Sequence, residues 1–357
     1  VSVSSSGEEG NYDSFFSSIS SDGRYVAFYS YASNLEDSDT NDTADMFVHD
    51  LENGTTSRVC LHSNSAEGNG SSLRPSISSD GRYVAFNSYA SNLVASDTNG
   101  SIEDIFVHDR HTGTTTCVSV DSSGAQGNNY SDHPSISSDG RYVAFESLSR
   151  LVTDDTNNVS DIFVHDRDTG TTTRVSAHSS SAEGNASSLR ASISSDGRYV
   201  TFNSAAFNLV DSDTNGYRDV FVHDRQTKTT TRVSVDSNGA QGNNYSLDPC
   251  ISSDGRYVAF YSLASNLVAN DTNSIDDIFV HDRQTKTTTR VSVDSSGEEG
   301  NHYSDIPSIS TYGRYVAFAS QASNLVVGDT NAHRDIFVHA YQGSFAQVPS
   351  LLILLFP

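Results

Sequence analysis

Short apolar runs recur along this chain at a nearly fixed interval, each bounded by Ser, Thr, Asp, Asn and Gly. The strongest is Arg-Tyr-Val-Ala-Phe, preceded by Ser-Asp-Gly, at residues 21–28, 79–86, 138–145, 195–202 (with Thr201 for Ala) and 253–260. A sixth copy, residues 311–318, opens Thr-Tyr-Gly instead. The marker glycines Gly23, Gly81, Gly140, Gly197, Gly255 and Gly313 lie 58, 59, 57, 58 and 58 residues apart, so one unit is repeated through the chain. A motif present six times reads as scaffold before it reads as chemistry.

Within the second copy the pattern predicts four strands. Residues 76–78 form a brief first strand between Pro75 and a turn, and Asp80-Gly81 supplies the positive φ of a tight hairpin. Residues 82–86 form a second strand whose unbroken apolar run predicts burial on both faces. A long polar loop, residues 89–103, leads to a third strand at 104–109, and a tight turn opens a β-branched fourth strand at 114–120. Such a meander cannot bury both of its faces alone, whereas six packed about an axis do. The predicted fold is therefore all-β: a six-bladed β-propeller of four-stranded antiparallel blades occupying residues 1–340 as one domain, followed by a tail at 341–357.

The Ser-Asp-Gly-Arg-Tyr-Val-Ala-Phe stretch, followed by Ile-Phe-Val-His-Asp, resembles the WD-repeat-like propeller repeats of the TolB type over about residues 1–340. That resemblance implies a propeller and little about activity, since such repeats occur in periplasmic, secreted and peptidase-attached proteins.

Counting strands locates the expected closure. Only five fourth strands follow the six third strands, and Val1-Ser2-Val3-Ser4 matches Val291-Ser292-Val293-Asp294. The N-terminus is thus expected to pair, through Val1 and Val3, with Ile336 and Val338 of the last third strand, closing the ring and covering an open edge. In a variant, residues 344–350 take that slot and the N-terminus becomes an exchanged strand. The tail carries the one long apolar run: Leu351, Leu352, Ile353, Leu354, Leu355 and Phe356, with Val348 before it. It could fold onto its own blades, belong to an anchor stub or dock on a neighbouring copy. Docking is the reading taken here, with a head-to-tail fibre as its consequence.

Composition narrows the partners. With 45 acidic and 21 basic residues the net charge is −24, which opposes nucleic acid and anionic membranes. No apolar stretch reaches the ~20 residues of a membrane helix, and the chain opens at Val1 without Met or a basic-then-apolar leader, so a signal peptide, if one existed, is expected to have gone already. Cys60, Cys117 and Cys250 replace Ser, Arg and Ser of other copies and form no disulfide or zinc pattern. Asn-x-Ser/Thr triplets are frequent, as this composition dictates.

Three chemical features stand out. Every long loop holds Asp-Thr-Asn followed by an acid at the third strand. In the first and fourth copies an extra acid gives Asp37, Asp39, Asn41, Asp45 and Asp211, Asp213, Asn215, Asp219, a spacing that suits Ca2+, although Asp and Asn also cap turns on their own. The His-Asp pair closing five third strands lacks a nucleophile, which favours a hydrogen-bonding role. The long loops carry Asn129, Tyr130, Asn244, Tyr245 and Tyr303, suited to a glycan or protein ligand. The expected function is a non-enzymatic secreted or cell-surface structural or adhesive propeller that self-assembles, with no cofactor other than Ca2+. A calcium-assisted glycan- or protein-binding propeller is the alternative, and a TolB-like periplasmic interaction protein a third.

Overall fold

The computed structural model describes residues 1–331 and 333–341, and the backbone of 353–355. The fold is a six-bladed β-propeller; every blade is a four-stranded antiparallel meander, and no helix occurs among the described residues. The chain divides into two compact units, Val1–Val175 and Ser176–Pro357, each holding three blades.

In the first unit, blade 1 comprises β1 (Ser14–Ile19), β2 (Tyr25–Ser30), β3 (Asp45–Asp50) and β4 (Thr55–Arg58). Blade 2 comprises β5 (Ser72–Ile77), β6 (Tyr83–Ser88), β7 (Asp104–Asp109) and β8 (Thr114–Cys117). Blade 3 comprises β9 (Ser131–Ile136), β10 (Tyr142–Ser147), β11 (Asp161–Asp166) and β12 (Thr171–Arg174). In the second unit, blade 4 comprises β13 (Ser188–Ile193), β14 (Tyr199–Ser204), β15 (Asp219–Asp224) and β16 (Thr229–Arg232). Blade 5 comprises β17 (Ser246–Ile251), β18 (Tyr257–Ser262), β19 (Asp277–Asp282) and β20 (Thr287–Arg290). Blade 6 comprises β21 (Ser304–Ile309), β22 (Tyr315–Ser320), β23 (Asp335–Ala340) and β24 (Ile353–Leu355).

The second and third strands form the core, as their unbroken apolar runs predict. Phe86 on β6 and Phe106 on β7 are fully buried, stacked 6.1 Å apart, and the same ring pair recurs in every blade. Two sequence-based boundaries shift. The first strand begins earlier than residues 76–78, at Ser72, and runs through Pro75, because a bulge between Leu73 and Ser76 spares the ladder bond that proline cannot donate. The fourth strand ends at Cys117 rather than 120, where the chain leaves for the next blade.

The expected closure is corrected. Ile336 and Val338 pair with Leu355 and Ile353, so blade 6 takes its fourth strand from the C-terminal tail. Val3 instead bridges Glu9, and its carbonyl accepts a hydrogen bond from Thr56 Oγ1. The physical reason is that the Val1-Ser2-Val3-Ser4 match is to a segment at the point of leaving its blade: Val291 lies beyond β20 with a last backbone bond to Ile278, and Val293 bridges Glu299 in a turn. Of the tail residues proposed for assembly, Ile353, Leu354 and Leu355 have a described backbone, while Val348, Leu351, Leu352 and Phe356 lie outside the described residues, as do 344–350.

Consecutive blades within each unit are joined by the repeated motif itself. The Tyr25 ring of blade 1 lies against Gly81 of the blade 2 hairpin, where a Cβ would sit 2.1 Å from a ring carbon. Tyr83 meets Gly140, Tyr199 meets Gly255 and Tyr257 meets Gly313 in the same way. The Tyr25 ring also lies 4.9 Å from the Arg24 guanidinium and 4.5 Å from that of Arg110, whose Nη1 donates 2.6 Å to the Gly81 carbonyl. Arg24 is held by two bonds, Nε to Asp50 Oδ1 at 2.9 Å and Nη2 to Oδ2 at 2.7 Å. That pairing keeps the Asp50 carboxyl well below the usual carboxylate range.

The third-strand histidines tie the fourth strand to the segment arriving from the preceding blade. His108 Nδ1 lies 2.9 Å from Thr115 Oγ1, and that hydroxyl donates to the Leu61 carbonyl. A hydroxyl has one proton to give, so Nδ1 carries the imidazole proton. The chain recurs at His49, His165, His223 and His281. Burial lowers His108, His223 and His281 to about 4.

Two outcomes test this account. Gly113 and Gly81, both in blade 2, share a positive φ, +71° and +72°, yet among the described residues no atom lies within 4 Å of a Cβ added at Gly113. Gly113→Ala is expected to cost roughly 1–2 kcal/mol from φ alone, and Gly81→Ala about 1–3 kcal/mol more from overpacking against Tyr25. Equal losses in urea denaturation would remove the interlock. In a histidine NMR titration, His108, His223 and His281 are expected to remain neutral at pH 5. Below about 6.5 the unfolded chain takes up protons that these folded sites refuse until about 4, so their contribution to stability falls as pH drops through that window.

Candidate recognition surface

The bulge in each first strand places one residue in the left-handed region: Phe16 (φ 44°), Arg74 (52°), His133 (54°), Arg190 (61°), Asp248 (44°) and Ile306 (49°). None is glycine, so each carries strain of order 1 kcal/mol. Around this position the blades stop being alike. The two residues at the bulge read Phe-Phe, Leu-Arg, Asp-His, Leu-Arg, Leu-Asp and Asp-Ile, while the flanking Ser and Ile recur in all six.

In the first unit, blade 1 contributes aromatic rings. Tyr29 lies 5.6 Å from Phe15, 6.0 Å from Phe16 and 6.2 Å from Tyr31. Phe15, Phe16 and Tyr31 are 43, 55 and 48% exposed, an unusual concentration of solvated rings. The Arg74 guanidinium of blade 2 sits 5.3 Å over Phe16.

Blades 2 and 3 extend this surface as a polar network. Arg74 Nε lies 3.3 Å from Asp132 Oδ1, and Arg74 Nη1 bonds His133 Nε2. His133 Nδ1 lies 2.9 Å from Asp132 Oδ2 and 3.3 Å from Glu146 Oε1. Burial alone would lower His133, but the carboxylates of Asp132 and Glu146 outweigh it and raise the imidazole. Glu103 is pushed up by burial and by the charge of Asp132, while it accepts from Asn87 Nδ2 and, at 3.0 Å, from the Tyr89 hydroxyl. The second unit carries its own set: Arg190 Nε is 3.4 Å from Asp248 Oδ1, Arg334 pairs with Asp305, and Asp276 accepts from the Tyr245 hydroxyl at 3.2 Å. Burial, followed by Asp276, pushes that phenol up to about 12.

The ligand residues expected from the long loops fall partly here. Tyr130 brings its hydroxyl to Ser160 at 2.7 Å and Tyr245 to Asp276. Asn129 and Asn244 cap the backbone N–H of the following tyrosine, and Tyr303 packs edge-on to His302. Sequence reasoning passed over Phe15, Phe16, Arg74 and His133. The available signal was the disagreement among copies just before the recurring Ser-Ile.

The expected calcium loops have a different arrangement. Arg232 Nη1 lies 3.4 Å from both Asp213 Oδ1 and Asp219 Oδ2, while Asn215 donates to Asp219 and the exposed Asp211 turns 3.3 Å from His178. In blade 1, Arg58 Nη1 sits among Asp39, Asp45 and Glu67, Asn41 donates to Asp45, and Asp37 is exposed. Burial, then the neighbouring Asp45, pushes Asp39 up to about 6. The guanidinium, supplied across the sheet from the fourth strand, stands between the acids that the loop spacing assigned to a metal.

No family model matches the chain, and no curated protein does. Among solved structures, an oligogalacturonate lyase in complex with manganese is similar at a TM-score of 0.55 and 14% identity, covering 94% of this chain and 78% of that one. An acylaminoacyl peptidase of Pyrococcus horikoshii gives 0.52 and 13%, covering 95% of this chain and 46% of its own. TolB from Acinetobacter baumannii gives 0.49 and 18% over 83% of this chain, which spans 57% of the TolB chain. The lyase and peptidase likenesses, at their low identities, show one thing: a shared propeller architecture.

Proposed function

We propose that this chain is a ligand-binding propeller, working at the cell surface, outside the cell or in the periplasm, that recognises its target without chemistry of its own. The observation supporting this is the contrast between constant blades and variable bulge residues held in a strained conformation. In the first unit these differing residues are not scattered: Arg74 lies over Phe16 and bonds His133. In the first unit, solvated rings beside a fan of donors and acceptors suit a ligand with apolar faces edged by hydroxyls, as a neutral glycan has. The net charge of −24 disfavours polyanionic glycans.

A protein partner is the second reading. It is favoured by the Phe, Tyr and Arg composition of the blade 1 and blade 2 surface, the residue types that dominate interface energetics, and by the TolB-type repeat motif. Self-assembly through the tail has less support, since residues 353–355 pair within their own chain.

A neutral-glycan array tests the first reading. Phe16→Ala and His133→Ala are each expected to weaken binding at least tenfold, with Thr116→Ala, on the exposed side of a fourth strand, unchanged. Binding that ignores the first two variants moves the site elsewhere, and an array with no hits transfers the proposal to a protein partner.

A further inference from the structure

Two blades lack the cation that the others carry at one register position: blade 2, and blade 6, where Leu354 pairs with Phe337. At the register position opposite the core phenylalanine of the third strand, blades 1, 4 and 5 have Arg58, Arg232 and Arg290. In each, Nη1 stands between the loop Asp and the Asp that opens the third strand: 3.7 and 2.9 Å in blade 1, 3.4 and 3.4 Å in blade 4, 3.5 and 3.3 Å in blade 5. In blade 2 the residue opposite Phe106 is Cys117, while both acids remain as Asp97 and Asp104.

The thiol does not replace the lost charge. Burial, followed by the charge of Asp104, pushes Cys117 up to about 12, so it stays neutral. Asp104 is fully buried and compensated by neutral donors alone: Ser119 Oγ at 2.6 Å, Asn99 Nδ2 at 2.8 Å and Gln126 Nε2 at 2.6 Å. Asp97 Oδ1 accepts from the backbone N–H groups of Asn99 and Gly100. Two oxygens are left over: Asp97 Oδ2 and Asn99 Oδ1 are each shielded from solvent with no hydrogen-bond partner. Buried oxygens of this kind are rarely left unsatisfied in a folded chain.

We propose that blade 2 binds a hard cation, Ca2+ by its donor set, in the place that the arginine Nη1 fills in blades 1, 4 and 5. Asp97 Oδ2, Asn99 Oδ1 and the Asp104 carboxylate are its protein donors, with water completing the shell. Oxygen donors, two of them anionic, suit Ca2+ over softer metals. Three protein donors place the affinity in the weak range, Kd about 10⁻⁴–10⁻³ M.

The test uses the full chain, stripped with chelator and titrated with CaCl2 alone, read by calorimetry and thermal midpoint. The wild type is expected to bind one Ca2+ and to gain thermal stability with it. Cys117→Arg restores the internal cation, so it is expected to melt higher than the wild type in chelator and to lose the calcium response. Asp97→Asn removes one anionic donor and is expected to weaken binding at least tenfold while the far-ultraviolet spectrum stays that of the wild type. Absence of binding by the wild type up to 10 mM, roughly tenfold above the weak range, overturns the proposal. So does a calcium response that survives in folded Cys117→Arg or is unchanged in Asp97→Asn.

Discussion

A tyrosine ring lying where a glycine offers no side chain holds neighbouring blades together in both units. Tyr25 on Gly81 and its equivalents need a left-handed hairpin residue and an open surface above it at once, and glycine alone supplies both. The remaining letters of the motif serve the same contact. Arg24 covers one side of the ring and is anchored by Asp50, while Arg110 of the next blade covers it too and bonds the glycine's carbonyl. Where β23 ends in Ala340 instead of Asp, Tyr341 takes the arginine's place, 5.7 Å from Tyr257. Within each unit the motif recurs because each junction between consecutive blades uses it.

What the sequence disclosed follows from how far apart the interacting residues lie. The tight hairpin turns rest on neighbouring residues, and the buried second strands and the blade count on an apolar run repeated every 57–59 residues, so they were legible. The acid clusters were not, because the group that neutralises Asp39 and Asp45 is Arg58, brought in across the sheet from the fourth strand. The closing strand failed for a related reason: Val1-Ser2-Val3-Ser4 copies a segment faithfully, but that segment's structural role is a turn beyond the blade edge.

In four of the six blades the candidate recognition surface was hidden by proline. Pro75, Pro134, Pro249 and Pro307 made the residues before them look like loop, whereas a bulge lets the strand run through. That bulge turns Arg74 and His133 towards one another and brings Asp132 and Glu146 beside them. Those groups come from β5, β9 and β10, and their grouping is a property of packed blades that no window of sequence contains.

The bulge also separates inheritance from specificity. Duplicating a blade copies its Tyr-on-Gly junction, its phenylalanine pair and its histidine anchor unchanged, so the new copy fits its neighbours at once. The left-handed residue takes no part in any of these, and it can drift after duplication without loosening the fold. In this molecule the six positions read Phe, Arg, His, Arg, Asp, Ile. Exchanging the residues at this one position would rewrite that series and leave the junctions as they are.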